Sequence, residues 1–286
     1  MLPPVQHIVS LGEGGTPLHK ADRLAKANGL KELYLKDETR NPTNSYRDRA
    51  AAFLASTAID YGYEALICAS NGNMGASLAA YSAKSGLICH VLVPKLVDVG
   101  KLAQMIAYDA IIEEFGDIVD DSIRKAATVA KETGWYQATA ELNPLVVEAQ
   151  KTISYEIHEQ FGVPEWVLVS MGSGGTIYSL WKGFKELKQL GITKSLPKMV
   201  GVQPEGCASI VNSFTSDQTI QPKSCNPSTR ALAILVGEPL QSDLAVKAIT
   251  ESKGLALTVS DTEILSAEFQ IAKLEGVFAE PASSAT

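Results

Sequence analysis

Short apolar segments alternate with longer, alanine-rich stretches from about residue 33 onward. The apolar segments are too short for helices and are bounded by Gly, Asn, Pro or Ser, so we interpret them as buried strands. The predicted strands are residues 33–35, 65–69, 88–93, 110–112, 166–169 and 199–202. The predicted helices are residues 48–61, 75–84, 100–108, 121–132, 146–161 and 176–190.

Strands that are apolar throughout and alternate with helices indicate a parallel sheet covered on both faces. In the predicted helix 146–161, Ile153, Ile157 and Phe161 recur every four residues, as in a helix that packs on a sheet. The pattern therefore predicts an α/β protein. Residues 213–229, rich in Ser, Pro, Thr, Asn and Gln, are predicted to form a long loop, either functional or a plain connector.

Composition and charge narrow the possible function classes. The 286 residues carry 25 Lys plus Arg against 32 Asp plus Glu, a net charge of −7 without basic clusters, which argues against nucleic-acid binding. No apolar run approaches the roughly 18 residues of a membrane helix, and the N-terminus lacks a signal-peptide pattern, so we expect no membrane partner and a cytoplasmic protein. The cysteines (68, 89, 207 and 225) form no CxxC pair and are expected to be buried, and the histidines are scattered, so no metal site is predicted.

Candidate chemistry lies where predicted strands meet predicted helices. In open parallel sheets, ligands bind at the carboxyl ends of the strands, beside the free N–H groups of helix N-termini. Four polar or glycine-rich junctions occur, at residues 36–49, 70–75, 170–176 and 280–284.

Each junction taken singly leaves alternatives open. The glycines of the third junction fit a tight turn as well as a nest of N–H groups that holds one phosphate together with Thr176. Asn73 fits an N-cap as well as a ligand contact. The segment 170–176 has neither the GxGxxG spacing of a dinucleotide site nor the Lys-Ser/Thr of a P-loop.

Together and in this order, the junctions resemble those of threonine synthases, which are pyridoxal 5′-phosphate (PLP) enzymes of fold type II, the tryptophan-synthase-β-like superfamily. The resemblance runs through residues 14–18, 35–38, 41–43, 100–104, 143–144, 150–151, 181–187 and 280–283. It implies two three-layer α/β/α domains with mainly parallel sheets and PLP in the cleft between them. The larger domain is expected to contain residues 1–47 and 141–286, and the smaller domain residues 48–140.

The same resemblance implies roles for individual residues. Asn73 is expected to hydrogen-bond the 3′-oxygen of PLP, while Gly172, Ser173, Gly174, Gly175 and Thr176 hold its phosphate. Ser70, Asn71, Gly72 and Met74 belong to the loop expected to receive the substrate carboxylate. Lys101 is a candidate contact of the substrate phosphate, although a solvated helix lysine is the commoner case. The family reaction converts O-phosphohomoserine and water into threonine and phosphate, and the resemblance also implies a homodimer.

The sequence departs from this family at the residue that carries the chemistry. The family's Schiff-base lysine lies in Asn-Pro-Thr-Gly-Ser-Phe-Lys-Asp-Arg, and Arg47 stands in its place here. A guanidinium keeps its proton in proteins, so Arg47 can neither form an imine nor act as a base. An Asn and an Arg that contact substrate in the family correspond to Ala140 and Val146, and Met74 replaces a Thr.

Two hypotheses follow, and whether the chain is an enzyme stays open between them. In the first, it is a degenerate relative that binds PLP without a covalent bond, binds an amino-acid phosphate or another small anion, or serves as a partner subunit. In the second, it is an active threonine synthase or a related PLP lyase, and Arg47 is a variant or engineered residue. Because family members continue beyond the position of Thr286, we also expect either another subunit at the last sheet edge or a longer polypeptide.

Overall fold

The structure is a computed structural model that describes residues 6–216 and 227–286. The strands are β1 (Leu18–Lys20), β2 (Tyr34–Lys36), β3 (Ala65–Ala69), β4 (Ile88–Val93), β5 (Ile111–Glu114), β6 (Tyr136–Gln137), β7 (Trp166–Ser170), β8 (Lys198–Pro204) and β9 (Leu255–Val259). The helices are α1 (Asp22–Ala27), α2 (Arg47–Asp60), α3 (Asn73–Ser85), α4 (Val99–Ala107), α5 (Val119–Thr133), α6 (Leu145–Gln150), α7 (Thr152–Gln160), α8 (Gly175–Gln189), α9 (Ser209–Ser216), α10 (Ser242–Glu251), α11 (Asp261–Glu275) and α12 (Pro281–Ser284).

The chain divides into two compact units. The first unit comprises residues 1–14 and 41–150, and the second comprises residues 15–40 and 151–286. This division differs from the domain boundaries expected from the sequence, because residues 1–14, 41–47 and 141–150 group with the segment 48–140.

Hydrogen bonds explain why the N-terminal segment belongs to the first unit. The Val9 amide donates to Ser56 Oγ at 2.9 Å, and the Tyr81 hydroxyl donates to Glu13 at 2.8 Å. Residues 9–13 are therefore fastened to α2 and α3. These bonds join positions far apart along the chain, so the hydrophobic pattern alone could not reveal them.

The first unit is built on a parallel sheet with strand order β5-β4-β3-β6. All five residues of its inner strand β3 are buried, as the continuous apolar run predicts. The alanine-rich helices α2 and α3 pack closely, and Ala51, Ala55, Leu78 and Ala79 lie in one hydrophobic core. The predicted α/β architecture is confirmed here.

The second unit contains the parallel sheet β7-β8-β9 and the antiparallel pair β1-β2. The helix predicted at 146–161 is instead two helices, α6 and α7, separated by Lys151. At the break, the Lys151 carbonyl accepts a hydrogen bond from the Ser154 amide, three residues later. The same carbonyl lies against Gly183, where an added Cβ would be 2.5 Å away, so close packing accompanies the interruption.

The loop predicted at 213–229 is only partly testable. Its first residues are helical, because α9 continues to Ser216, so the prediction is wrong there. Residues 217–226, and with them Cys225, lie outside the described residues.

The structure also bears on the cysteines, on possible metal ligands and on membrane-spanning helices. Cys68, Cys89 and Cys207 are buried, as expected. In residues 6–216 and 227–286, no group of three or more His, Cys, Asp or Glu side chains could hold a metal ion. Within the same ranges, no helix is long and apolar enough to span a bilayer.

Candidate functional site

Arg47 is the first residue of α2 and follows a loop with a left-handed residue. Asn44 has φ 59°, at the position where the resembling family has glycine. Asparagine is one of the few other residues that tolerate this conformation, so the exchange keeps a positive φ available. The Arg47 amide donates to Ser45 Oγ at 3.2 Å, and its half-buried guanidinium lies 5.0 Å from the centre of the Tyr46 ring. The structure thus presents a cation supported by an aromatic ring at this helix start.

Buried hydrogen bonds hold the loop before Arg47. Thr43 donates to the Asp48 carboxylate from its backbone N at 2.7 Å and from Oγ1 at 2.6 Å. Thr43 Oγ1 also lies 3.0 Å from Ser77 Oγ on α3. Burial raises the pKa of Asp48, while the Thr43 and Ser77 hydrogen bonds and the charge of Lys101 oppose that shift. This network joins the first turn of α2 to α3.

The predicted loop 70–75 follows β3 and leads into α3. The Ser70 amide donates to the Leu92 carbonyl at 3.0 Å, and Ser70 Oγ accepts a hydrogen bond from the Gly72 amide at 3.0 Å. Gly72 lies against Lys101, since an added Cβ would be 3.3 Å from Lys101 Cγ. Asn73 is the half-buried first residue of α3. The loop therefore places its polar residues at a helix N-terminus.

Met74 and Lys101 both make contacts within the first unit. Met74 belongs to the hydrophobic core of the first unit and is only 4% exposed, so its side chain contributes to packing. Lys101 Nζ donates to the Thr43 carbonyl at 2.7 Å. The lysine thus connects α4 to the loop that precedes Arg47. Its contact with a substrate phosphate stays a prediction.

In the second unit, residues 172–176 follow β7 and include the first two residues of α8. Gly174 caps the helix with φ 98°, a conformation that favours glycine. An added Cβ at Gly174 would lie 2.8 Å from both Ala245 Cβ and the Gln241 carbonyl oxygen. The first N–H groups of an α-helix have no partner within the helix, and the helix dipole favours negative charge beside them. The geometry therefore fits a phosphate group.

A carboxylate further along α8 ties this helix to α7. Glu186 accepts hydrogen bonds from Lys151 Nζ at 3.1 Å, from Lys182 Nζ at 2.5 Å and from the Tyr155 hydroxyl. Burial opposes the charge of Glu186, but these three donors outweigh it and lower the pKa of Glu186 to about 2. The cluster stabilises the contact between α7 and α8.

The low pKa of Glu186 predicts an acid-dependent loss of stability. The folded pKa lies below the ordinary value of 4.5, so this contribution is complete above pH 4.5 and is lost as the pH falls towards 2. We expect the free energy of unfolding, measured with urea, to fall more steeply across this window in the wild type than in Glu186→Gln. The exposed Glu159→Gln on α7 is the control and should match the wild type. Equal slopes for wild type and Glu186→Gln would contradict the assignment.

Comparisons with known proteins show which proteins this chain is similar to. The family model described as pyridoxal-phosphate-dependent enzyme matches residues 9–286. A threonine synthase of Methanosarcina acetivorans is 42% identical, in an alignment that covers 100% of this chain and 71% of the relative. For the threonine synthase of Methanocaldococcus jannaschii, the identity is 44% and the alignment covers 98% of this chain and 69% of the relative.

Solved structures agree on the fold. A fungal L-serine ammonia-lyase from Rhizomucor miehei superposes with a TM-score of 0.81 at 17% identity, covering 95% of this chain and 84% of its own. Threonine deaminase isoform 2 from Solanum lycopersicum gives a TM-score of 0.78 at 21% identity, covering 94% and 72%. At such low identity, these two structures support the fold alone.

Proposed function

Because the chain belongs to the pyridoxal-phosphate-dependent enzymes, and within them to the threonine synthases, we propose that it binds PLP without a covalent bond and does not turn over O-phosphohomoserine. The family membership confirms the resemblance seen in the sequence and makes PLP its cofactor. What we propose beyond the family is that Arg47 leaves PLP binding intact and abolishes turnover.

The glycine-rich start of α8 supports binding of the cofactor phosphate. Gly172, Ser173, Gly174, Gly175 and Thr176 present backbone N–H groups and a hydroxyl at a helix N-terminus, which is a favourable site for a dianion. Asn73, at the start of α3, is the proposed donor to the 3′-oxygen. Neither role requires a covalent bond to the protein.

Arg47 is the observation that carries the proposed loss of activity. When bound in this family, PLP supplies an aldehyde and an electron-withdrawing ring that stabilises negative charge on an attached amino acid. The protein must contribute an amine that attaches to the aldehyde and later moves protons. The guanidinium of Arg47 stays protonated at physiological pH, so it can pair with an anion but cannot accept a proton.

Lys36, in the second unit, is a poor replacement for the missing amine. Lys36 Nζ is 2.7 Å from Glu156, 2.6 Å from the Thr16 carbonyl and 3.1 Å from Gln160 Oε1. Three oxygen atoms, one of them from a carboxylate, thus accept hydrogen bonds from Lys36 Nζ. Lys36 is therefore better explained as part of a structural network than as an imine-forming residue.

The alternative is an active threonine synthase or a related PLP lyase. The ordered loop 41–48 favours it, because Thr43, Asp48 and Ser77 still fix the segment that carries the lysine in the family. Under this alternative, a lysine such as Lys101 would have to take over the role of the missing amine.

One experiment separates the two functions. We expect purified protein to retain PLP during equilibrium dialysis, to lose it reversibly when diluted, and to form no threonine from O-phosphohomoserine. Inorganic phosphate at high concentration should compete with PLP for the site. Threonine formation at a rate far above the buffer control would contradict the proposed inactivity, and failure to retain PLP would contradict the proposed binding.

The substrate class, assembly and location follow the family in this proposal. The second ligand is proposed to be an amino-acid phosphate or another small anion, and the protein is proposed to be a cytoplasmic homodimer. Exposed apolar side chains on β7 and β9, including Leu168, Leu255 and Leu257, support a further interface. Light scattering that gives the mass of a single chain would contradict the dimer.

A further inference from the structure

Gln241, just before α10, is in direct contact with the phosphate-binding residues. Its amide N donates to the Ser173 carbonyl at 3.2 Å, and its carbonyl accepts from the Ala245 amide at 3.1 Å. The same carbonyl lies beside Gly174, 2.8 Å from the position of an added Cβ. These backbone contacts fix Gln241 beside Ser173 and Gly174.

The side chain of Gln241 reaches the first residue of α8. An added Cβ at Gly175 would lie 2.0 Å from Gln241 Oε1 and 3.5 Å from Nε2. In a helix, the Cα–Cβ bond tilts toward the N-terminus, so this amide lies toward the end of α8 where the free N–H groups are. The half-buried side-chain amide of Gln241 makes no hydrogen bond with another group in residues 6–216 or 227–286.

We propose that Gln241 is a further ligand of the cofactor phosphate and donates a hydrogen bond from Nε2 to a phosphate oxygen. The proposal rests on the proposed function, in which the phosphate of PLP binds at the start of α8. An anion there repels Oε1 and attracts the NH₂ group, and a half-turn about the terminal torsion of the side chain exchanges the two. The residue would then add a neutral donor to the backbone N–H groups.

The chemistry predicts a graded response to substitution at this position. Gln241→Met keeps the length of the side chain but removes the donor, whereas Gln241→Glu keeps the shape and adds a negative charge beside the phosphate. A hydrogen bond to a charged group contributes enough that its loss weakens binding by about tenfold. Repulsion between the carboxylate and the phosphate should weaken binding by roughly a further tenfold.

Equilibrium dialysis with PLP tests the proposal, with thermal unfolding measured on the same proteins. We expect PLP affinity to fall in the order wild type, Gln241→Met, Gln241→Glu, at nearly constant melting temperature. Gln270→Glu, an exposed glutamine on α11, provides the same charge change at a distance and should bind PLP as the wild type does.

The possible outcomes distinguish this inference from the proposed function. If the wild type binds PLP and both variants bind it within about twofold of the wild type, Gln241 is no phosphate ligand. If Gln241→Met and Gln241→Glu weaken PLP binding equally, Gln241 has only a packing role, and the inference is also wrong. If the wild type itself retains no PLP, the proposed function fails first and the inference fails with it.

Discussion

Arg47→Lys should enable the protein to form a covalent bond with PLP that borohydride reduces. The substitution replaces a permanently charged guanidinium with a primary amine, which reacts with an aldehyde in its neutral form. The fold should tolerate the change, because the Thr43–Asp48 hydrogen bonds do not involve the side chain at position 47. The expected result is a stoichiometric increase in protein mass by one reduced cofactor after borohydride treatment.

A matched control separates this effect from a general gain of lysine. Arg40→Lys changes an exposed arginine, 3.3 Å from Asp37, and should give no reduced cofactor adduct beyond background labelling. If Arg47→Lys binds PLP, keeps its melting temperature and still gives no adduct, position 47 is not where an amine meets the cofactor.

The same substitution should not restore threonine formation. Ala140 and Val146 stand where the resembling family has an Asn and an Arg that contact substrate, and both side chains are buried in the hydrophobic core of the first unit. They cannot supply the charged donors that a phosphate-bearing substrate needs. Covalent cofactor without turnover is therefore the expected combination.

Gly174→Ala should strongly impair binding of the cofactor phosphate. The new methyl group would lie 2.8 Å from Ala245 Cβ and from the Gln241 carbonyl oxygen, in a residue whose φ of 98° already disfavours a side chain. The chain must move, so the N–H groups that start α8 lose their orientation. We expect PLP affinity to fall at least about tenfold and the free energy of unfolding to fall by about 1–3 kcal/mol.

Gly191→Ala is the matched control for that variant. Gly191 follows the end of α8 with φ 73°, and an added Cβ there meets no atom within 4 Å. The control therefore has a similar backbone cost without the clash, and we expect its PLP affinity to equal that of the wild type. If both variants weaken PLP binding alike, the close packing around Gly174 does not shape the site.

Strands β3 to β5 and helices α2 to α5 of the first unit were predictable because their patterns are local. The run Ala65–Ala69 is apolar throughout and becomes the inner strand β3, and the alanine-rich segment after Asp48 becomes α2. The helix α11 was overlooked although a local signal exists. Ser260 and Glu263 form a capping box, a pattern that is visible in the sequence.

Tertiary contacts set what the sequence could not reveal. A hydrogen bond from the Tyr81 hydroxyl holds Glu13 in the first unit. Another hydrogen bond joins Thr43, in the loop before α2, to Ser77 on α3. Gln241 lies in no recognisable motif, and only folding brings it to Gly175. In contrast, the resemblance identified the family and the cofactor correctly, because its motifs extend along nearly the whole chain.

The most direct test of the central claim is the intact mass of the wild-type protein after incubation with PLP and reduction with borohydride. With Arg47 in place, we expect the mass to remain that of the polypeptide alone, although the same sample retains PLP during dialysis. A mass increase of one reduced cofactor, mapped to a single lysine of this chain, would show that an amine has replaced the missing one and would contradict the account.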